Sequence, residues 1–508
     1  MSDTTANNKR IAKNTMLLYF RMFLMMAISL YTSRVVLKVL GVEDFGIYNV
    51  VGGIVSMMGV INGAMSVSTQ RYLTFELGKG DNIRLKQVFS MCLTIYMMLG
   101  ALLIILSESI GIWFLNTQLV IPAERMTAAN WVFQFSIFST VFSLLTNPYN
   151  AVIISHEKMG VYAYISILDA LLKLGIVYML LVVPYDKLQF YGSLMLLIHI
   201  LNFFLYWYYC HRNYCESKYK FYWEKGLFKT LLSYTGWNLF GSFSGVAKGQ
   251  GLNIILNMFF TPAVNAARGI AYQVNSTVSQ FFTNFYTAVR PQITKYYAQN
   301  DLDNMFKLVF RSSKFSYFLI LVISLPLIIE APYVIQLWLG QIPEHVVPFM
   351  RLIIVITAVD AMATPLMTTA HATGKIALYQ SIVGTMTILI VPISYVFLKV
   401  GCGPLVVFVV SFAVSTINLF LRLWVVKRLV NFPVWNYIGQ VFLVCIFVTV
   451  LSSVFPLIAH HFLEERLLSF LIVCMLSVLS TLFAIYLAGL SSNERIFLTN
   501  SLKSKLHK

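Results

Sequence analysis

The sequence predicts an all-α integral membrane protein of about 14 transmembrane helices: two parallel six-helix repeats followed by two further helices. Three observations carry this. Only 11% of the 508 residues are Asp, Glu, Lys or Arg, against about 25% in soluble domains. Hydrophobic residues make up 58%, and apolar runs fill most of the chain from Thr15 to Leu490. Finally, landmarks of the first half recur about 220 residues later. A soluble enzyme is excluded by the first two.

A bilayer core takes roughly 20 apolar residues per helix. On that measure the first lobe (1–225) holds spans at 15–37, 45–67, 88–110, 126–147, 161–183 and 191–209. The second lobe (226–430) holds spans at 231–259, 264–289, 315–339, 347–370, 376–398 and 405–426. Residues 431–508 add spans at 437–458 and 467–490 and a cytoplasmic tail. Of the 37 basic residues, 26 fall on one set of connecting segments and seven on the other, with Arg21, Lys173, Lys248 and Arg268 inside spans. The positive-inside rule therefore expects both termini in the cytoplasm. Lys9, Arg10 and Lys13 precede the first span without a cleavage site, which reads as a retained lead-in.

The repeat is read from ordered matches. Arg71, Asp81, Lys86-Gln87-Val88-Phe89 and Trp113-Phe114-Leu115 correspond to Arg290, Asp301, Lys307-Leu308-Val309-Phe310 and Leu337-Trp338-Leu339. Pro148, Lys158 and Tyr162 correspond to Pro365, Lys375 and Tyr379, each 217 residues on. An even number of spans per unit gives both copies one orientation, the parallel-repeat arrangement of secondary transporters, whose substrate site lies between the halves.

The excess of 37 Lys and Arg over 20 acids sits in short segments between apolar runs, so no nucleic-acid partner is expected. The six cysteines contain no C-x-x-C pair, so neither a zinc site nor a disulfide framework is indicated. No phosphate-binding loop is present, and Gly249-Gln250-Gly251 lacks the third glycine and preceding strand of a dinucleotide fingerprint. No catalytic residue and no cofactor is expected, and energy must come from a gradient, with H⁺ or Na⁺ as coupling ion, or from a partner.

Ionisable residues at membrane depth are the sharper signal, since each costs upward of about 2.5 kcal/mol in hydrocarbon. Lys173 and Asp169 can pair one helical turn apart, as a neutralised structural pair or as cavity-lining, coupling groups. Lys248 lies in a glycine-rich stretch, 241–251, that bares the helix backbone; it either meets an anion or snorkels. Arg21, Arg34 and Arg268 complete the candidate cationic lining. Asp360 is the lone carboxylate candidate for ion coupling, unless nearby hydroxyls cap it. Pro148 and Pro365, at equivalent places, are hinge or fixed-kink candidates. A lining richer in Lys and Arg than in acids favours an anionic substrate, such as phosphate on a lipid carrier.

The opening span, Leu40-Gly41-Val42-Glu43-Asp44-Phe45-Gly46-Ile47-Tyr48, Thr69-Gln70-Arg71-Tyr72, and Gly374-Lys375 after a proline-bearing span resemble polysaccharide repeat-unit flippases of the Wzx type. These belong to the multidrug/oligosaccharidyl-lipid/polysaccharide exporter superfamily. The resemblance covers the chain to about Leu490. It implies MATE-like, V-shaped lobes around a cationic cavity in the bacterial inner membrane, working by alternating access. The implied cargo is an undecaprenyl-pyrophosphate-linked oligosaccharide for O-antigen of lipopolysaccharide, capsule or exopolysaccharide, its pyrophosphate held by cavity Arg and Lys and its tail in membrane lipid. A polysaccharide polymerase is the implied partner machinery. A cation-coupled multidrug antiporter, which should carry an acid in its first span, and a lipid II flippase are the alternatives. An integral-membrane polymerase or ligase would resemble its kind in a large outward loop; here those segments are short, and His460-His461 has no evident partner.

Overall fold

The computed structural model describes residues 2–56, 59–117, 121–184, 186–463, 467–491, 494 and 495, all in helices and their connections. The helices are α1 (Ser2–Ser56), α2 (Gly59–Lys79), α3 (Asn82–Leu106), α4 (Ile112–Thr117), α5 (Met126–Ser155), α6 (Met159–Val182) and α7 (Lys187–Asn213). There follow α8 (Lys225–Phe259), α9 (Pro262–Ala298), α10 (Leu302–Ile329), α11 (Ala331–Leu339), α12 (Val346–Ala372), α13 (Ala377–Lys399) and α14 (Val406–Val430). The last helices among the described residues are α15 (Val434–Tyr437), α16 (Leu443–Phe462) and α17 (Leu467–Ala484).

Backbone punctuation explains these boundaries, and it repeats. Gly41, at φ 79°, divides α1 into two helices; with no Cβ it takes this conformation at little cost. Asp81 caps α3 by accepting from Arg84 N at 2.9 Å, and 220 residues on Asp301 caps α10 by accepting from Asn304 N at 3.2 Å. The residue before each cap is left-handed, Gly80 at φ 76° and Asn300 at φ 57°. The turns into α6 and α13 also match: Glu157 (φ 58°) and Gly374 (φ 78°) stand 217 residues apart. α5 and α12 run on through Pro148 and Pro365, and both prolines are buried.

Eleven helical stretches among the described residues are long and apolar enough to cross a membrane, where the sequence reading expects 14. Two of the other three expected spans, in α8 and α9, are 35 and 37 residues long. Their shortfall is in hydropathy, because one face carries Lys248 or a run of amides and hydroxyls. The expected span at 45–67 crosses residues 57 and 58, which lie outside the described residues.

The fold divides into two compact units, one of residues 1–242 and 294–300, the other of 243–293 and 301–508. In the first, Val36, Ile176, Val177, Leu180 and Tyr191 pack α1, α6 and α7 together. The second centres on Leu256, Ala267, Ala271, Phe349, Ile354 and Phe408, from α8, α9, α12 and α14. Large side chains such as Phe447, Val450, Phe455, Leu468 and Leu471 remain exposed on α16 and α17, as lipid-facing helices require.

Candidate functional site

The candidate residues fall into two groups, one in each unit. In the first, α6 presents Tyr162, Ser166, Asp169 and Lys173 at three- and four-residue spacing, hence along one stripe. Lys173 Nζ lies 2.8 Å from Asp169 Oδ2, the expected one-turn pair. A residue the sequence reading did not include completes it: Asn202 on α7 donates from Nδ2 to Asp169 Oδ1 at 2.6 Å. Both carboxylate oxygens are therefore occupied. Beside them, His199 Nδ1 donates to Met195 O at 2.8 Å. Arg21 comes from α1 and places its guanidinium 4.5 Å from the centre of the Tyr162 ring; its buried Nε has no hydrogen-bond partner among the described residues. The Arg34 side chain lies outside the described residues.

In the second unit Arg268 ties α9 to α8. It donates from Nη2 to Gly249 O at 2.7 Å and from Nη1 to Asn253 Oδ1 at 3.3 Å, while its guanidinium covers the Tyr272 ring at 4.5 Å. Asn265 Nδ2 adds a bond to Asn253 O at 3.2 Å. The glycines that bare the α8 backbone thus offer Gly249 O to Arg268, while Gly251 lets α8 approach α13: a Cβ there would stand 2.7 Å from Val391 Cγ2. Lys248, the residue preceding that carbonyl, is part-exposed and makes no hydrogen bond or ion pair with any described residue. Arg268 is largely committed to the protein; Lys248 is available.

Asp360 on α12 is part-exposed. The neighbouring hydroxyl, Thr364 Oγ1, donates to the backbone oxygen of Asp360 at 2.8 Å and not to its carboxylate. Near Pro365, which removes the ladder bond to Ala361 O, Tyr437 Oη ties the same turn to the last helices by donating to Met362 O at 2.9 Å. Asn147, next to Pro148, bonds Asn62 of α2.

Three arrangements escaped the sequence reading. Arg71 of the Thr69-Gln70-Arg71-Tyr72 motif is buried, its guanidinium 4.5 Å from the rings of Tyr72 and Phe75 and 5.9 Å from Tyr234. Asp44 of the opening motif forms a two-bond pair with Arg125, which also reaches Asp186, the cap of α7. Burial pushes the Asp186 carboxyl up, but the Gln189 amide and Arg125 outweigh it and hold it below the ordinary range. The third is the exposed polar face of α9, whose sequence signal is an uncharged run, 269–289, with amides and hydroxyls at helical spacing.

No protein-family model and no curated protein matches the sequence. Solved structures do match in fold. An outward-facing multidrug resistance MATE family transporter of the MOP superfamily superposes with a TM-score of 0.70 at 15% identity, over 84% of this chain and 97% of that one. A MATE in the straight conformation gives 0.70 at 15% identity over 83% and 97%. The Vibrio cholerae MATE transporter VcmN in the bent form gives 0.67 at 14% identity over 86% and 99%. The apolar helices and these likenesses together establish an all-helical membrane protein with the MATE transporter fold.

Proposed function

We propose that this protein flips undecaprenyl-pyrophosphate-linked oligosaccharide repeat units across the bacterial inner membrane by alternating access of two six-helix lobes, 1–225 and 226–430, serving surface polysaccharide synthesis. The observation that carries this is Lys248. It lies 11 residues before the end of α8, about 16 Å along the helix, part-exposed and without a protein counter-charge. An unpaired ammonium at that depth is costly in lipid and must face water or an anion. A pyrophosphate supplies the charge, and the carrier's polyprenyl tail can stay in the hydrocarbon. In the first unit, Arg21 likewise makes no ion pair with a described residue, its guanidinium lying 4.5 Å from the centre of the Tyr162 ring. The first helix carries Arg21 and no acid between Arg10 and Gly41, unlike a helix built to take up a cationic drug.

A second reading, cation-coupled drug antiport, draws on the multidrug transporters of like fold and on the uncapped Asp360 carboxylate. Under the flippase reading the same Asp360 is the preferred coupling group for H⁺ or Na⁺, because Asp169 has both oxygens engaged. Deleting the gene in its host separates the readings. Flipping predicts accumulation of the lipid-linked repeat unit on the cytoplasmic leaflet and loss of surface glycan, restored by wild type and much less by Lys248→Ala. Unchanged glycan with drug hypersensitivity overturns it. Accumulated lipid II in place of the repeat unit assigns the other cargo.

A further inference from the structure

One face of α9 is polar, exposed and without charge. Its buried side is set by Ala267, Ala271 and Val278, packed in the second unit's core. On the opposite side Gln273, Ser276, Thr277, Gln280 and Thr283 are all exposed, at the spacing of a single helix face. From Gln273 to Thr287 this face extends 14 residues, about 21 Å, long enough for several sugar rings.

The hydrogen-bond inventory is uneven. Thr283 and Thr287 donate to the carbonyls four residues back at 2.8 Å each, and Asn284 does so from Nδ2 at 2.9 Å, so their oxygens remain free to accept. The side-chain amides of Gln273 and Gln280 and the Ser276 hydroxyl make no hydrogen bond with any described residue. Asn275 is excluded from the set, since its Oδ1 accepts from Thr357 Oγ1 at 2.6 Å on the packed side. Two free amides and a row of hydroxyl acceptors would be costly against lipid tails, so this face meets water. No residue from 269 to 289 is charged, so it holds neither a phosphate nor a cationic drug by ion pairing. Paired donors and acceptors without charge match vicinal hydroxyls.

We propose that this α9 face binds the neutral sugar portion of the cargo and sets which glycan is accepted, Gln273 and Gln280 being its main contacts. This rests on the flippase reading, and it assigns the sugars to α9 and the anion to Lys248. The test uses the full-length protein in nanodiscs with two probes, a carrier-free repeat-unit oligosaccharide released from the host's surface polymer and inorganic pyrophosphate. Gln273→Met with Gln280→Met is expected to weaken oligosaccharide binding by about tenfold or more and leave pyrophosphate binding unchanged. Gln273→Asn with Gln280→Asn should recover part of it. Lys248→Ala should show the reverse pattern. If the methionine pair does not insert, Thr283→Val, an isosteric change on the same face, reads the same loss. Wild-type oligosaccharide binding by these α9 variants, or none by the wild type, overturns the assignment; pyrophosphate binding indifferent to Lys248→Ala instead sinks the anion site on which the flippase reading stands.

Discussion

Glu157 shows how one residue can be costly locally and worth keeping. It sits in a left-handed conformation, φ 58°, where a side chain is strained by about 1 kcal/mol or more. The repeat-related position is a glycine, Gly374. Yet the Glu157 carboxylate, 1% exposed, takes Arg10 Nε at 2.8 Å and Lys295 Nζ at 2.5 Å. Its backbone oxygen accepts from Asn14 Nδ2 at 3.1 Å. One turn thereby fastens the start of α1 and the end of α9. Glu157→Gly relieves the strain but leaves Lys295 without its carboxylate. We expect a net loss on the order of 2 kcal/mol, below the range for a fully buried pair because Arg10 is 46% exposed. It would be read as a lower thermal unfolding midpoint in detergent. A midpoint at or above that of the wild type would show that strain relief outweighs the ion pairs.

At the scale of an element, the segment joining α7 to α8 is strapped down by its acids. Glu224 accepts from Arg84 Nη1 at 2.6 Å and from Tyr222 Oη at 2.6 Å, and these two bonds, Arg84's first, bring its carboxyl down to about 2. Burial pushes Glu216 up, but the bond to His156 Nε2 at 2.6 Å and neighbouring donors outweigh it and leave it below the ordinary range. The His156 ring also stacks on Tyr214 at 4.2 Å. Because both carboxyls titrate lower in the fold than in the free chain, their contribution is whole above the ordinary value of about 4.3. It is lost as pH falls through the folded values. Cleavage of 214–224 by pepsin should therefore accelerate only as pH drops from about 4 toward 2. Glu224→Gln should already be cleaved faster at pH 5, and equal rates there would remove Glu224 from the strap.

Across the whole molecule, the repeat and the placement of basic segments make a topological prediction. With both termini in the cytoplasm, Cys215 in the α7–α8 connection and Cys402 between α13 and α14 lie on opposite sides of the membrane. Cys215 is exposed and Cys402 part-exposed. In Cys402→Ser cells a membrane-impermeant maleimide should label Cys215 only in inverted vesicles. In Cys215→Ser spheroplasts it should label Cys402 from outside. Labelling of both from one side would mean an odd number of crossings is misassigned between them.

The sequence alone determined the properties that depend on near neighbours. Helical, membrane-spanning character follows from apolar runs, and the repeat from ordered landmarks whose caps and left-handed turns recur in the fold. The Asp169–Lys173 pair was legible because four residues make one turn. Tertiary structure decided which charges are used up. Asn202 reaches Asp169 from 33 residues away, and Arg268 gives α8 one bond from each of its terminal nitrogens while Lys248 gives none. Hydropathy records what a side chain costs in lipid, and spacing records which face it shares. Neither records the partner that folding brings from a distant helix, and that partner decides whether a buried charge is structural or free to meet a substrate.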